Sequence, residues 1–343
     1  MVEIKMQEDQ LPVSDPDERA PVISGPNFEH SGAFNKTLKE SPFLQTTWDS
    51  TSLGALKTCP YKYYLEIVLG WRSRVQSEHL TFGSIYHEAL ETYERVMASQ
   101  AYSDTGHEIA LRAAVRKVLT QCYKKKFFGF KTKTPLTLLR SVVWYLDHYG
   151  INDPAKTYML SGNIPAVEHH FEFSSGITSM DTQHQYFLAG HLDRVVEFQD
   201  ALYIADYKTT GTALSSSWFD RFTPDNQMTF YTLAGTVSLA KPVKGVIIDG
   251  AQIAVGFTRY ARGFANRTSA HQEEWLDSLK YYLRHAEMYA AEGSWPQNDM
   301  ACSHSFCPFV KICAADPGVR EMYLKGDFVQ RLWDPTKART ALE

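Results

Sequence analysis

From Thr47 to about Phe130, apolar residues recur three and four positions apart, the period of amphipathic helices; beyond Pro165 the period shortens to two. STSLGALKTCPYKYYLEIVLG, beginning at Ser50, opens on Ser50 and Thr51 as expected N-caps. GSIYHEALETYERVMAS, beginning at Gly83, builds one apolar stripe from Ile85, Tyr86, Ala89, Leu90 and Tyr93. A further amphipathic helix is expected over 136–149. AVEHHFEF, QYFLAGHLDRVVEF, ALYIADYK and VKGVIIDGAQ read as strands, with a helix over roughly 225–240 among them and a long one over about 268–292 after them. Residues 1–45 are rich in Asp, Glu, Pro, Ser and Asn without a period, and read as a flexible arm. The order predicts one α/β domain, a mixed sheet preceded and flanked by helices.

Composition narrows the picture little. The 343 residues are 44% hydrophobic, enough for a large core, and the formal charge of −4 gives no global basic field. The densest basic run is Lys124-Lys125-Lys126, followed by Lys131, Lys133 and Arg140; a solvated helix end and a phosphate track explain it equally well. No apolar run approaches the roughly 20 residues that span a bilayer, and no signal-peptide core is present, so a soluble, cytoplasmic protein is expected. Five cysteines, an odd number, argue against a disulfide framework. Cys59 stands early, Cys122 lies in a helical run as a small core residue, and Cys302, Cys307 and Cys313 cluster late.

The stretch GHLDRVVEFQDALYIADYKTTG carries the chemistry. On a strand, Ile204, Asp206 and Lys208 share one face and Tyr203, Ala205 and Tyr207 the other. A turn centred on Gln199-Asp200 sets Asp193 directly opposite Asp206. Two carboxylates that close repel unless a cation lies between them, and hard oxygen ligands suit Mg²⁺ or Mn²⁺. Lys208 lies where an ammonium could hold a water or a phosphate oxygen. A surface hairpin with an Asp–Lys pair would show the same triplet, so neighbouring features must decide.

Gln227 and Tyr231 lie four apart on one helix face, able to grip a phosphate and sugar or merely to decorate that face. His87 falls off the apolar stripe of its helix, free to ligate a metal or to meet solvent. In chain order these residues form G-x-x-x-H (Gly83 to His87), G-x-x-D-R (Gly190 to Arg194), D-x-K-T (Asp206 to Thr209) and Q-x-x-x-Y (Gln227 to Tyr231). Over roughly 47–315 the chain resembles the RecB-like branch of the PD-(D/E)XK nuclease superfamily. The resemblance implies a restriction-endonuclease-like core, with Asp193, Asp206, His87 and the Tyr207 carbonyl as metal ligands. Lys208 would orient the attacking water, and Gln227 and Tyr231 would contact DNA or brace the site. Glu168 is similar to an acid that some members carry on the first strand, with Glu172 its competitor.

Cys59, Cys302, Cys307 and Cys313 resemble the four-cysteine arrangement of the CRISPR-associated adaptation nucleases and the AddB nuclease domain. That resemblance implies a 4Fe-4S cluster; the spacing C-x4-C-x5-C departs from the usual C-x2-C-x5-C. A structural zinc, with His304 as a substitute ligand, is the alternative. The implied organisation is an arm (1–45), a nuclease domain (46–320) and a tail (321–343). Within the domain, a helical part (46–160) precedes the catalytic core (161–295) and the cysteine region (296–320). The expected function is a Mg²⁺- or Mn²⁺-dependent deoxyribonuclease, an exonuclease acting in recombination, repair or CRISPR-type processing. No P-loop is present, so any helicase or recombination partner would be a separate chain, and a homo-oligomer is possible. A DNA-binding subunit that keeps the fold without cleaving is the alternative, and an iron–sulfur redox protein is disfavoured because no glycine-rich nucleotide motif accompanies the cysteines.

Overall fold

Alternating apolar residues carry the chain into five long strands: β1 (Val167–Thr178), β2 (Gln185–Phe198), β3 (Ala201–Thr210), β4 (Val243–Ile253) and β5 (Thr258–Asn266). The computed structural model describes residues 44–75, 77–180, 182–304 and 307–337, and the side chains of 303 and 304 are not among them. The arm expected over 1–45 therefore lies almost wholly outside the described residues, as does the His304 side chain.

β2 pairs antiparallel with β1 on one side and with β3 on the other; β4 runs parallel to β3, and β5 antiparallel to β4. Thr47–Trp48 and Lys156–Thr157 add short pairings along β2 to complete a seven-stranded mixed sheet. Gln199 and Asp200 sit at φ of 50° and 58°, the left-handed pair that a two-residue hairpin turn requires. Phe198 consequently faces Ala201 and Arg194 faces Ala205, the register the turn implies.

Helices cover both faces. α1 (Ser50–Thr58), α5 (Asn226–Leu239) and α6 (Ser269–Glu292) close one core, where Leu53, Phe230 and Trp275 pack with Ile204 and Val246 of the sheet. α2 (Glu78–Ser99), α3 (Asp104–Lys124) and α4 (Pro135–His148) close the other, where Phe82, Leu90 and Val142 meet Tyr207 and Ile253. Strand β3 thus feeds alternate side chains to two cores, and α5 is the crossover that lets β4 return parallel to it. Cys122 is half-buried against the second core, as a small packing residue.

Four details differ from the sequence expectation. The cap of α1 is Asp49, not Ser50 or Thr51: its carboxylate accepts from the Ser52 N–H at 2.9 Å, a contact worth about 1 kcal/mol. Within the region read as helical throughout, Trp71–Ser73 is a strand. β5 went unread because Tyr260 and Arg262 occupy positions where aliphatic residues would mark a buried face. The tail region contains a helix, Arg320–Asp327, and a strand, Phe328–Gln330, which pairs antiparallel with Trp71–Ser73 and buries Leu324 and Phe328.

Candidate active site

The paired rungs of β2 and β3 end at Arg194–Ala205, and the next facing positions are Asp193 and Asp206. There the strands part. Instead of continuing the ladder, the Tyr207 N–H donates to Asp193 Oδ2 at 3.2 Å. Both carboxylates are buried, at 2% and 1% exposure. From α2, His87 brings Nδ1 to 3.1 Å from Asp193 Oδ2. On β3, Lys208 Nζ lies 2.6 Å from Asp206 Oδ2 and donates to Gln227 Oε1 at 3.0 Å. Gln227 Nε2 in turn donates to the Tyr231 hydroxyl at 3.0 Å. Residues spread from His87 to Tyr231 thus form two chains of contacts around one hairpin mouth, one centred on Asp193 and one running from Asp206 through Lys208 and Gln227 to Tyr231.

Electrostatics at this mouth are strained toward a cation. Burial pushes the Asp206 carboxyl up, Lys208 opposes that rise, and the Asp193 charge adds to it. Burial works against the Lys208 charge, but Asp206 overrides it and holds the ammonium above its usual value. Two buried carboxylates exceed the charge of the one lysine beside them, and their hard oxygens match a divalent ion in charge and chemistry. Among the described residues no three His, Cys, Asp or Glu side chains already stand together as a metal cage.

Glu168 lies level with Asp193 along the sheet. Val167 faces Arg194 and His169 faces Leu192, so the β1 register sets Glu168 across from Asp193, on the side away from Asp206. Its φ of 47° is left-handed, a backbone conformation that non-glycine residues adopt at a cost. Glu172 faces Ala189 instead, well along the strand, and is not part of the site. Gly190 of the G-x-x-D-R run has no room for a side chain: a Cβ there would sit 2.9 Å from the Phe171 ring.

A second buried network, unread in the sequence, locks the hairpin from behind. Arg194, 3% exposed, donates to Thr157 Oγ1 at 2.7 Å and to Asp153 Oδ2 at 3.1 Å, and lies 3.4 Å from Glu94. Arg262 of β5 binds Asp153 and, at 2.7 Å, Asp249 of β4; the Tyr145 hydroxyl donates to the same Asp249 at 2.6 Å. Against the upward push of burial, Arg262 and Arg194 hold the Asp153 carboxyl below its usual value. The available signal was Arg194 itself, an arginine beside a motif aspartate in an otherwise apolar strand.

The four cysteines of the resemblance line one small cavity, with Asn298 and Phe309 beside them. The Asn298 N–H reaches Cys59 Sγ at 3.4 Å, joining the chain across 239 positions. Burial pushes the Cys313 thiol up to about 11, and the nearby sulfurs of Cys307, Cys302 and Cys59 push it in the same direction.

The hairpin mouth, with its facing carboxylates and following lysine on a mixed sheet flanked by helices, is the arrangement of a nuclease core. The family model of the PD-(D/E)XK nuclease superfamily matches residues 48–314, and the chain belongs to that superfamily. Among solved structures, it is similar to a Eubacterium rectale protein named as a proposed exonuclease, with 11% identity and a TM-score of 0.43, covering 81% of this chain and 93% of that one. It is also similar to a protein named SSO0001, with 11% identity and a TM-score of 0.31, covering 69% of this chain and 95% of that one. No curated protein matches the chain by sequence. Among the described residues no helix is long and apolar enough to cross a membrane.

Proposed function

We propose that this nuclease is a Mg²⁺- or Mn²⁺-dependent deoxyribonuclease that hydrolyses phosphodiester bonds as an exonuclease, in recombination, repair or CRISPR-type DNA processing. The observation that carries the reading is the pair Asp193 and Asp206 at the hairpin mouth, with Lys208 2.6 Å from Asp206. Asp193, Asp206, His87 and the Tyr207 carbonyl would hold the divalent ion, and Glu168 would be an additional acid. When bound, such an ion supplies Lewis-acid charge at the phosphate and a hydroxide near neutral pH. Lys208 places an ammonium where the phosphate gains negative charge, and a fixed donor in a buried site needs no reorganisation to do so. Gln227 accepts from Lys208 and Tyr231 accepts from Gln227, so helix α5 aims the lysine, and the two side chains would contact DNA or brace the site. No covalent enzyme intermediate is needed.

We further infer that Cys59, Cys302, Cys307 and Cys313 hold a 4Fe-4S cluster, with a structural zinc as the alternative. The reading is supported by four sulfurs on one cavity, where burial disfavours the bare thiolates that a bound metal would stabilise. Digestion of end-labelled single- and double-stranded DNA with Mg²⁺ or Mn²⁺ tests the nuclease reading. Binding without any metal-dependent cleavage would leave only a DNA-binding subunit.

A further inference from the structure

The segment YKKKFFGFKTK, residues 123–133, joins α3 to α4 and interleaves cations with aromatic rings. Its ends are tied to the site. Lys133 Nζ donates to the Oγ1 of Thr209, the neighbour of Lys208, at 3.0 Å and lies over the Phe82 ring. Lys125 Nζ lies 2.9 Å from Glu88 Oε1, on the residue after His87. Phe127 is buried edge-on against Phe82. Phe130 and Lys133 exchange both backbone hydrogen bonds, at 2.9 and 3.0 Å, and close a tight turn. Lys126, Gly129 and Lys131 hold left-handed φ values of 49°, 84° and 51°. Such conformations in non-glycine residues persist where the surroundings impose them, and they gather at ligand-gripping segments.

On this specified shape three rings face solvent: Tyr123 at 87%, Phe128 at 80% and Phe130 at 53% exposure. Single exposed apolar residues are ordinary, whereas three rings within eight positions, with exposed Lys124 and Lys126 between them and Lys131 next to the last, form a surface. Rings stack on unpaired bases and ammonium groups follow the phosphates between them. A duplex hides its base faces and would use only the lysines. An anionic membrane would ask for an amphipathic helix, which this segment is not.

We propose that residues 123–133 bind single-stranded DNA, with Tyr123, Phe128 and Phe130 stacking on bases and Lys124, Lys126 and Lys131 on phosphates, and lead the strand to the hairpin mouth at Thr209. The delivery to a cleaving site rests on the nuclease reading; the binding does not.

The test is fluorescence anisotropy of labelled oligothymidylate with the full chain in EDTA, where no cleavage can occur. Phe128→Ala should weaken binding about tenfold, within the range of one base–aromatic stack. Changing Lys124, Lys126 and Lys131 together to Gln should reduce the salt slope by about two, as single-strand phosphate contacts do. Affinity for a blunt hairpin duplex should be unchanged by the ring substitution. Undiminished oligothymidylate affinity after Tyr123→Ala, Phe128→Ala and Phe130→Ala combined would overturn the proposal. So would an equal loss for the duplex, or displacement of the oligonucleotide by phosphatidylserine vesicles. These exposed substitutions leave the cores untouched, so a loss is not an unfolding. If the binding pattern holds and wild-type protein with Mg²⁺ leaves DNA intact, the surface stands and the nuclease reading falls.

Discussion

The backbone N–H of Tyr207 donates to the Asp193 carboxylate at 3.2 Å, one step beyond the last paired rung of its hairpin. A side chain of one strand has taken over a ladder bond from the other. The exchange ends the ladder at the two carboxylates, and it fixes Asp193 to the strand that carries Asp206 and Lys208.

Asp206→Ala should lower cleavage about a thousandfold or more, because it removes a rigidly held charge from the reacting centre. Lys208→Ala should cost a comparable factor with the fold intact. Rates on end-labelled DNA, with melting curves as a control, decide the matter. Parental rates in either variant would move the active site elsewhere.

Metal choice gives a second expectation. EDTA should abolish cleavage, and Mn²⁺ should restore it at least as well as Mg²⁺, because an imidazole beside two carboxylates is softer than an all-oxygen site. His87→Ala should narrow the Mn²⁺ advantage. Identical metal titrations for both proteins would place His87 outside the ligand set.

Arg194→Met should destabilise the protein by about 3–5 kcal/mol, since it strands the buried Glu94 without its cation and leaves Asp153 with Arg262 alone. Removing the exposed Arg112, whose partner Glu108 is equally exposed, should leave stability unchanged. Urea unfolding of the two variants measures the contrast, and equal effects would show that the buried network is not what secures the hairpin.

Cys59→Ala should bleach a brown chromophore and lower the melting temperature, while Cys122→Ala should do neither. The argument is loop closure: a centre shared by Cys59 and Cys302 ties ends that the unfolded chain brings together only at large entropic cost. Iron and sulfide analysis of anaerobically purified protein reads it directly. Stoichiometric zinc without visible absorbance would exclude the cluster and leave the nuclease reading in place.

Burial holds the Lys133 amine down at about 8, against an ordinary value of 10.5. Below pH 8 the folded state bears the cost of a buried charge; between pH 8 and 10.5 the unfolded state binds more protons, so stability from this group rises with pH. The stability of wild type relative to Lys133→Met should therefore climb across that window. A flat difference between the two melting profiles would show that the amine is not buried in solution.

The hairpin was legible because everything that specifies it is local: alternating apolar residues, a two-residue turn and carboxylates at fixed offsets from it. The same holds for α5 and α6, whose spans differ from expectation by a residue at most. What escaped was non-local. Arg262 and Asp249 face each other across β4 and β5, and their charges read as surface until the pairing supplies each with its partner. Glu168 could be separated from Glu172 only by the register against β2, which no periodicity within β1 reveals. Phe328–Gln330 is too short to announce itself without Trp71–Ser73 beside it.

That last pairing has a mechanical side. The Arg331 N–H donates to the Gly70 carbonyl at 2.7 Å, and the Trp333 indole N–H donates to Asp49 at 3.1 Å, a clasp across 284 positions. A segment held by such a clasp cannot unravel alone without exposing the buried face of its counterpart, so the two should open and close as one cooperative unit.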